Sequence, residues 1–200
     1  MRIALAILLV AAILTPSSTQ AQVKRAKTED GKDVILKADG TWSYEYKKDK
    51  AATLAYEGKR KTFSLYLVPQ KWKKLDEVDN EDAEVGFSLK DGDAFVMVIA
   101  ERIQIPLATL KKAQLARLRT VDENAKVTFE EKRIVNGKEV LCMTSEFTVE
   151  GIPAAYHGYY YSGEEGSIQV IAWTGQNLFK ELKPEIEAFL NGLEIAKSPE

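Results

Sequence analysis

Between residues 125 and 173 the sequence alternates long strand-forming stretches with turn residues. The stretches are Ala125 to Ile134, Glu139 to Val149, Ile152 to Tyr161 and Ser167 to Trp173. Asn136-Gly137, Glu150-Gly151 and Gly163-Glu164-Glu165-Gly166 separate them. Tight hairpin turns need positive φ, which Gly adopts without steric cost. Four such strands in succession predict an antiparallel meander, and whatever the chain folds into must contain it.

The flanking segments add further elements. Phe63-Ser64-Leu65-Tyr66-Leu67-Val68 reads as a strand ended by Pro69, with Trp72 just beyond. Asp76 to Glu84 carries six carboxylates and reads as a solvated loop. Glu84 to Lys90 and Asp93 to Glu101 form a strand pair around Asp91-Gly92. Within it Phe95 to Ala100 is continuously apolar, which predicts a strand covered on both faces. Pro106 opens a helix to about Arg119, with Leu107, Leu110, Leu115 and Leu118 on one broad face. A second helical stripe runs from about Leu178 to Leu193. Pro184 is expected to break it, because proline lacks the backbone donor, and Gly192 to stop it.

The order is therefore strand, two strands, helix, four strands, helix. With one helix for each face, it predicts an α+β fold: a central antiparallel sheet covered by helices on both faces, an α/β/α sandwich. This domain is expected over residues 61–197. Ahead of it, residues 22–46 form three short strands around Asp30-Gly31 and Asp39-Gly40, an N-terminal β-ribbon. Residues 47–60 read as a linker.

The first 21 residues have the pattern of an export signal. Arg2 precedes the twelve-residue apolar run Ile3 to Leu14, and the small-residue end Thr19-Gln20-Ala21 follows. The run is shorter than the roughly 18 residues of a spanning helix, so no transmembrane segment is expected in the mature chain. An exported protein of the periplasm or the extracellular space is expected. Its single cysteine, Cys142, permits no intrachain disulfide and lies in an apolar strand, the setting of a small buried hydrophobe. With 28 basic and 30 acidic residues the chain has no global attraction to nucleic acid, and no nucleic-acid partner is expected.

The main domain resembles the PsbP-like fold, shared with the Ran-binding nucleotide-release factor family. The resemblance rests on Phe63-Ser64-Leu65-Tyr66-Leu67-Val68-Pro69 with Trp72, the helix after the third strand, the four-strand meander, and Phe189-Leu190-Asn191-Gly192-Leu193. It implies a non-enzymatic accessory protein that docks onto a larger assembly. The ribbon lies outside that fold. Its Gly31-Lys32-Asp33-Val34-Ile35-Leu36 and Asp39-Gly40-Thr41-Trp42 are similar to a short segment found in many exported bacterial proteins.

Motifs for chemistry are sparse. His157 is the only histidine, so any His-dependent triad must use it, and two-histidine zinc motifs are excluded. A Cys142–His157 pair is conceivable across the sheet, but no Gly-x-Ser-x-Gly elbow, dinucleotide fingerprint or calcium loop occurs. No enzyme activity, metal or cofactor is expected. Strand alternation places His157, Tyr159 and Tyr161 on one face, with Tyr156 and Tyr160 on the other. Together with Trp173 on the next strand, the first three form the expected binding surface, weighed against a plain core role for the rings. The expected function is thus an exported binding or accessory protein with a protein partner in the cell envelope. The alternative is a small-molecule or lipid carrier, with a pocket for an apolar ligand between the sheet and the helix of residues 106 to 119. A hydrolase using His157 ranks third.

Overall fold

A computed structural model describes residues 24–196. The expected export signal at residues 1–21 lies outside the described residues. The meander forms as the turn residues dictate: β9 (Lys126–Val135), β10 (Lys138–Val149), β11 (Ile152–Gly163) and β12 (Gly166–Gly175) pair antiparallel in sequence order. Asn136 and Gly137 have φ of 47° and 86°, and Glu150 and Gly151 have 51° and 81°. Two consecutive positive-φ residues are the geometry of a two-residue hairpin whose twist matches its strands.

The sheet grows outward on both sides. Next to β12 lie β8 (Phe95–Glu101), β7 (Val85–Leu89) and β6 (Trp72–Lys74). Beyond β9 lie β3 (Trp42–Tyr46), β2 (Asp33–Leu36) and β1 (Lys24–Lys27), so the ribbon extends the same ten-stranded sheet. Its junction is thin. β3 runs parallel to β9 and pairs with it only at Glu45–Ile134 and Tyr46–Val135. Residues 54–57 of the expected linker form β4 (Leu54–Glu57), which pairs with β5 (Phe63–Leu67). With β13 (Leu193–Ile195) they make a separate three-stranded sheet.

These elements correct the expected fold class. Of the described residues 49% are in strands and 16% in the two helices α1 (Leu107–Arg119) and α2 (Gln176–Leu190), and the fold is not a helix-covered α/β/α sandwich. The inference from Phe95 to Ala100 was sound about burial, since all of Val96 to Ala100 is buried. Helices were expected to do the covering on both faces, and they do only part of it. On one face the cover is shared: Ile186, Phe189 and Leu190 of α2 and Phe63, Leu65 and Leu67 of β5 pack on Val98, Cys142, Tyr159 and Val170. On the other face α1 buries only Leu110, Gln114 and Leu118. A strand once assigned to the central sheet is thus half of its lid.

Helix α2 also differs from expectation. It continues through Pro184 without a break. Proline forfeits one intrahelical hydrogen bond, but Ile186, Phe189 and Leu190 beyond it are almost wholly buried, and that burial outweighs the lost bond. The helix ends at Leu190, and Leu193 belongs to β13. Gly192 permits the turn between them. A Cβ there would stand 1.8 Å from the carbonyl oxygen of Tyr66, whose own amide donates to the Gly192 carbonyl at 2.9 Å.

Candidate functional site

Register decides where the expected site residues go. The two-residue turn at Glu164-Glu165 pairs Gly163 with Gly166, and the ladder then sets Tyr156 opposite Trp173 and His157 opposite Ala172. Residues directly opposite share a face. Trp173 therefore joins Tyr156 on the α1 face, away from His157, Tyr159 and Tyr161. Those three do share the α2 face as alternation predicted, but none offers a surface. His157 and Tyr159 are 0% exposed and Tyr161 is 5% exposed. The four residues are not brought together, and the expected surface is corrected to a core cluster on one side and Trp173, stacked on Phe95, on the other. The signal was available: the length of the Glu164-Glu165 turn alone fixes which rings face each other.

On the α2 face the buried polar groups form one network. Thr144 Oγ1 lies 2.8 Å from His157 Nδ1, while His157 Nε2 stands 3.4 Å from Glu187 Oε1 and 3.7 Å from Cys142 Sγ. Arg133 donates to Glu187 at 2.9 Å, to Glu131 at 2.6 Å and to the Tyr159 hydroxyl at 3.2 Å. Tyr159 donates in turn to Asn191 at 2.8 Å. The expected Cys142–His157 proximity is therefore real. Its chemistry is unfavourable to a nucleophile. Burial pushes the Cys142 thiol up to about 12, against a weaker downward pull from Arg133. Burial also holds His157 below its usual value, so it is neutral. Burial works to raise Glu187 as well, but His157 and Arg133 reverse this and bring it to about 2. A neutral imidazole facing a carboxylate through Nε2 carries its proton there and accepts from Thr144 at Nδ1. That tautomer leaves no lone pair to take a proton from Cys142.

The α1 face is different. Between α1, the Asp76 to Glu84 loop and the sheet lies an open groove of about 710 Å3. Such a volume falls in the range of small-molecule sites. Met97 and Ile99 of β8, Ile171 and Trp173 of β12, Tyr156 of β11 and Phe147 of β10 supply its floor. Its rings form a row: Phe147 meets Tyr156 edge-on at 4.7 Å, and Tyr156 lies 6.2 Å from Trp173. Gln169 also lines it, half-buried, and Tyr160 opposite Gln169 buries its hydroxyl without a partner. The loop is moored to the floor by Asn80 Nδ2 on Met97 Sδ at 3.2 Å, and to the helix by Arg117 on Asp82 at 3.3 Å. This is the position expected for a carrier pocket, between the sheet and the helix after Pro106.

A second hollow, of about 530 Å3, lies beside the ribbon and is lined by Lys37, Trp42, Tyr44, Glu131 and Lys132. Both of its lysines are already paired with Glu139, at 2.7 and 2.8 Å. Among the described residues no group of three or more His, Cys, Asp or Glu side chains could hold a metal ion, and no helix is long and apolar enough to cross a membrane.

No protein-family model matches the sequence, and no curated protein matches it. Solved structures do. The solution structure of PsbP from the cyanobacterium Synechocystis sp. PCC 6803 superposes with a TM-score of 0.54 at 13% identity, over 74% of this chain and 95% of that one. LpqN of Mycobacterium tuberculosis, a protein involved in cell envelope biogenesis, gives 0.41 at 11% identity over 68% and 83%. A protein from Bacteroides thetaiotaomicron gives 0.46 at 15% identity over 73% of this chain and 49% of its own. The fold is PsbP-like, as the sequence resemblance implied.

Proposed function

We propose that this chain is an exported, non-enzymatic binding protein that takes up a small apolar molecule in the groove beneath α1. One contrast carries the reading: the groups capable of nucleophilic chemistry, Cys142 and His157, are sealed in the core, whereas the large apolar concavity lies open on the other face. Sites that bind small molecules are concave, mostly apolar and edged by a few polar groups. Export rests on Arg2, the apolar run Ile3 to Leu14 and the Thr19-Gln20-Ala21 end.

Binding is tested with N-phenyl-1-naphthylamine, an uncharged apolar fluorophore. The purified protein enhances its emission at one site per chain. Ala113 lines the groove from the exposed side of α1, so Ala113→Phe fills the space without burdening the core and abolishes the enhancement. Unchanged emission in the variant sinks the reading.

A second reading, docking onto a protein partner in the envelope, is favoured by the ribbon. Leu36 and Trp42 stand directly opposite each other and are 41% and 52% exposed. Exposed aromatic and aliphatic anchors of this kind concentrate binding energy at interfaces. A stoichiometric partner recovered from envelope extract by the native protein and lost with Leu36→Lys/Trp42→Lys supports it; equal recovery by both proteins removes the ribbon from any such interface.

A further inference from the structure

We infer that the groove selects a cationic amphiphile, an apolar body carrying an amine or quaternary ammonium group. The inference rests on the groove reading above and adds the sign of the ligand's charge.

Two features of the lining point the same way. The first is the row Phe147, Tyr156 and Trp173. Aromatic faces carry the negative part of a quadrupole and attract cations, ammonium groups above all. The second is the rim. Its ionisable lining groups with fixed charge are three carboxylates, Asp79, Asp82 and Glu101, against one cation, Arg117. Arg117 already faces Asp82, and Glu101 lies 3.6 Å from Arg60. Asp79 has no ion-pair partner among the described residues. The remaining basic groups of α1 do not line the groove: Lys111 is engaged by Glu130, Arg119 by the carbonyl of Ala125, and Lys112 lies off the lining. A fatty acid or a phosphate-bearing lipid entering here would find one cation, Arg117, which already faces Asp82, against a surplus of carboxylates. Glu101 lies opposite Ser167 and the ring row lies at the other end of the strand, where Trp173 faces Phe95, so an ammonium group meets favourable partners along the groove, carboxylates or rings, wherever it settles. The Asp82–Arg117 pair does not bar its way, because both side chains are more than half exposed, and such pairs are weak enough to be exchanged.

The test displaces N-phenyl-1-naphthylamine from the full-length exported protein with three ligands of equal chain length, decyltrimethylammonium, decanol and decanoate. All are used below their micelle-forming concentrations. Decyltrimethylammonium is expected to displace the probe at about tenfold lower concentration than decanoate, with decanol between them. High salt narrows the margin. Asp79→Asn/Glu101→Gln removes the margin while leaving decanol unchanged. Competition by decanol with no preference for the cation, or a preference for decanoate, overturns this inference and leaves the groove as an apolar site. Failure of the probe itself to bind, or its binding unchanged in Ala113→Phe, overturns the groove reading and this inference with it.

Discussion

Arg133 of β9 donates to Glu187 of α2 at 2.9 Å, and so ties the helix to the sheet beneath it through a side chain only 6% exposed. Its Nε donates to Glu131 at 2.6 Å and its Nη1 also to the Tyr159 hydroxyl at 3.2 Å. Removing one partner of a buried pair leaves a charge that neither water nor protein compensates. Glu187→Gln is therefore expected to lower stability in urea unfolding by about 2 kcal/mol, less than for a fully isolated pair because Glu131 remains. Arg133→Met/Glu187→Met recovers part of that loss, since no uncompensated partner is left at the contact. A double variant less stable than either single variant would show that packing, and not charge, dominates there.

Acid is expected to weaken the fold in two steps. His157 is held below its usual value in the folded protein, so the unfolded chain binds the extra proton and stability falls as pH drops below about 6.5. Glu187, at about 2 when folded, adds its loss only as pH falls from the ordinary carboxylate range toward that value. Urea midpoints at pH 7.5 and 5.5 isolate the first step. His157→Leu should abolish the difference between them, and a difference that persists assigns it to other groups.

Cys142 should be chemically silent. Its thiol is buried and raised to about 12, and only the thiolate reacts. Ellman's reagent at pH 8 is expected to label the native protein no faster than it unfolds, and to label it at once in guanidinium. Prompt stoichiometric labelling under native conditions would show that the network around His157 opens.

The two residues expected to end α2 predict opposite effects. Pro184 lies exposed inside the helix, so Pro184→Ala restores a backbone donor and raises stability by about 1–3 kcal/mol. Gly192 has no room for a side chain against Tyr66, so Gly192→Ala lowers it by about 3 kcal/mol. Thermal melts of the two variants on either side of the wild type check both.

The meander was legible because its turns state their own geometry: Asn136-Gly137 and Glu150-Gly151 announce hairpins through residues that tolerate positive φ. The separate sheet was not. β4 and β13 are four and three residues long, too short for alternation to register, and they meet through β5 across more than a hundred residues of chain. Trp173 was placed with the wrong neighbours because alternation along one strand says nothing about the next until the register between them is counted. Tyr159 shows a different limit. Its hydroxyl suggested a wet surface, yet Arg133 and Asn191 satisfy it inside the core. The groove lies where the alternative carrier pocket was expected, between the sheet and the helix after Pro106, although the four leucines on one broad face of that helix predicted fuller cover than the burial of Leu110 and Leu118 alone provides.

The two-pair junction between β3 and β9 divides the molecule energetically where geometry draws no line. Ten strands make one sheet on paper, but β1 is exposed at every position and the ribbon adds little to the shared core. Segments with few buried contacts open at free energies well below global unfolding. Amide protons of residues 24–46 should thus exchange with solvent long before those of the meander. In that respect the ribbon is a cuff on the sheet, expected to loosen while the domain stays folded.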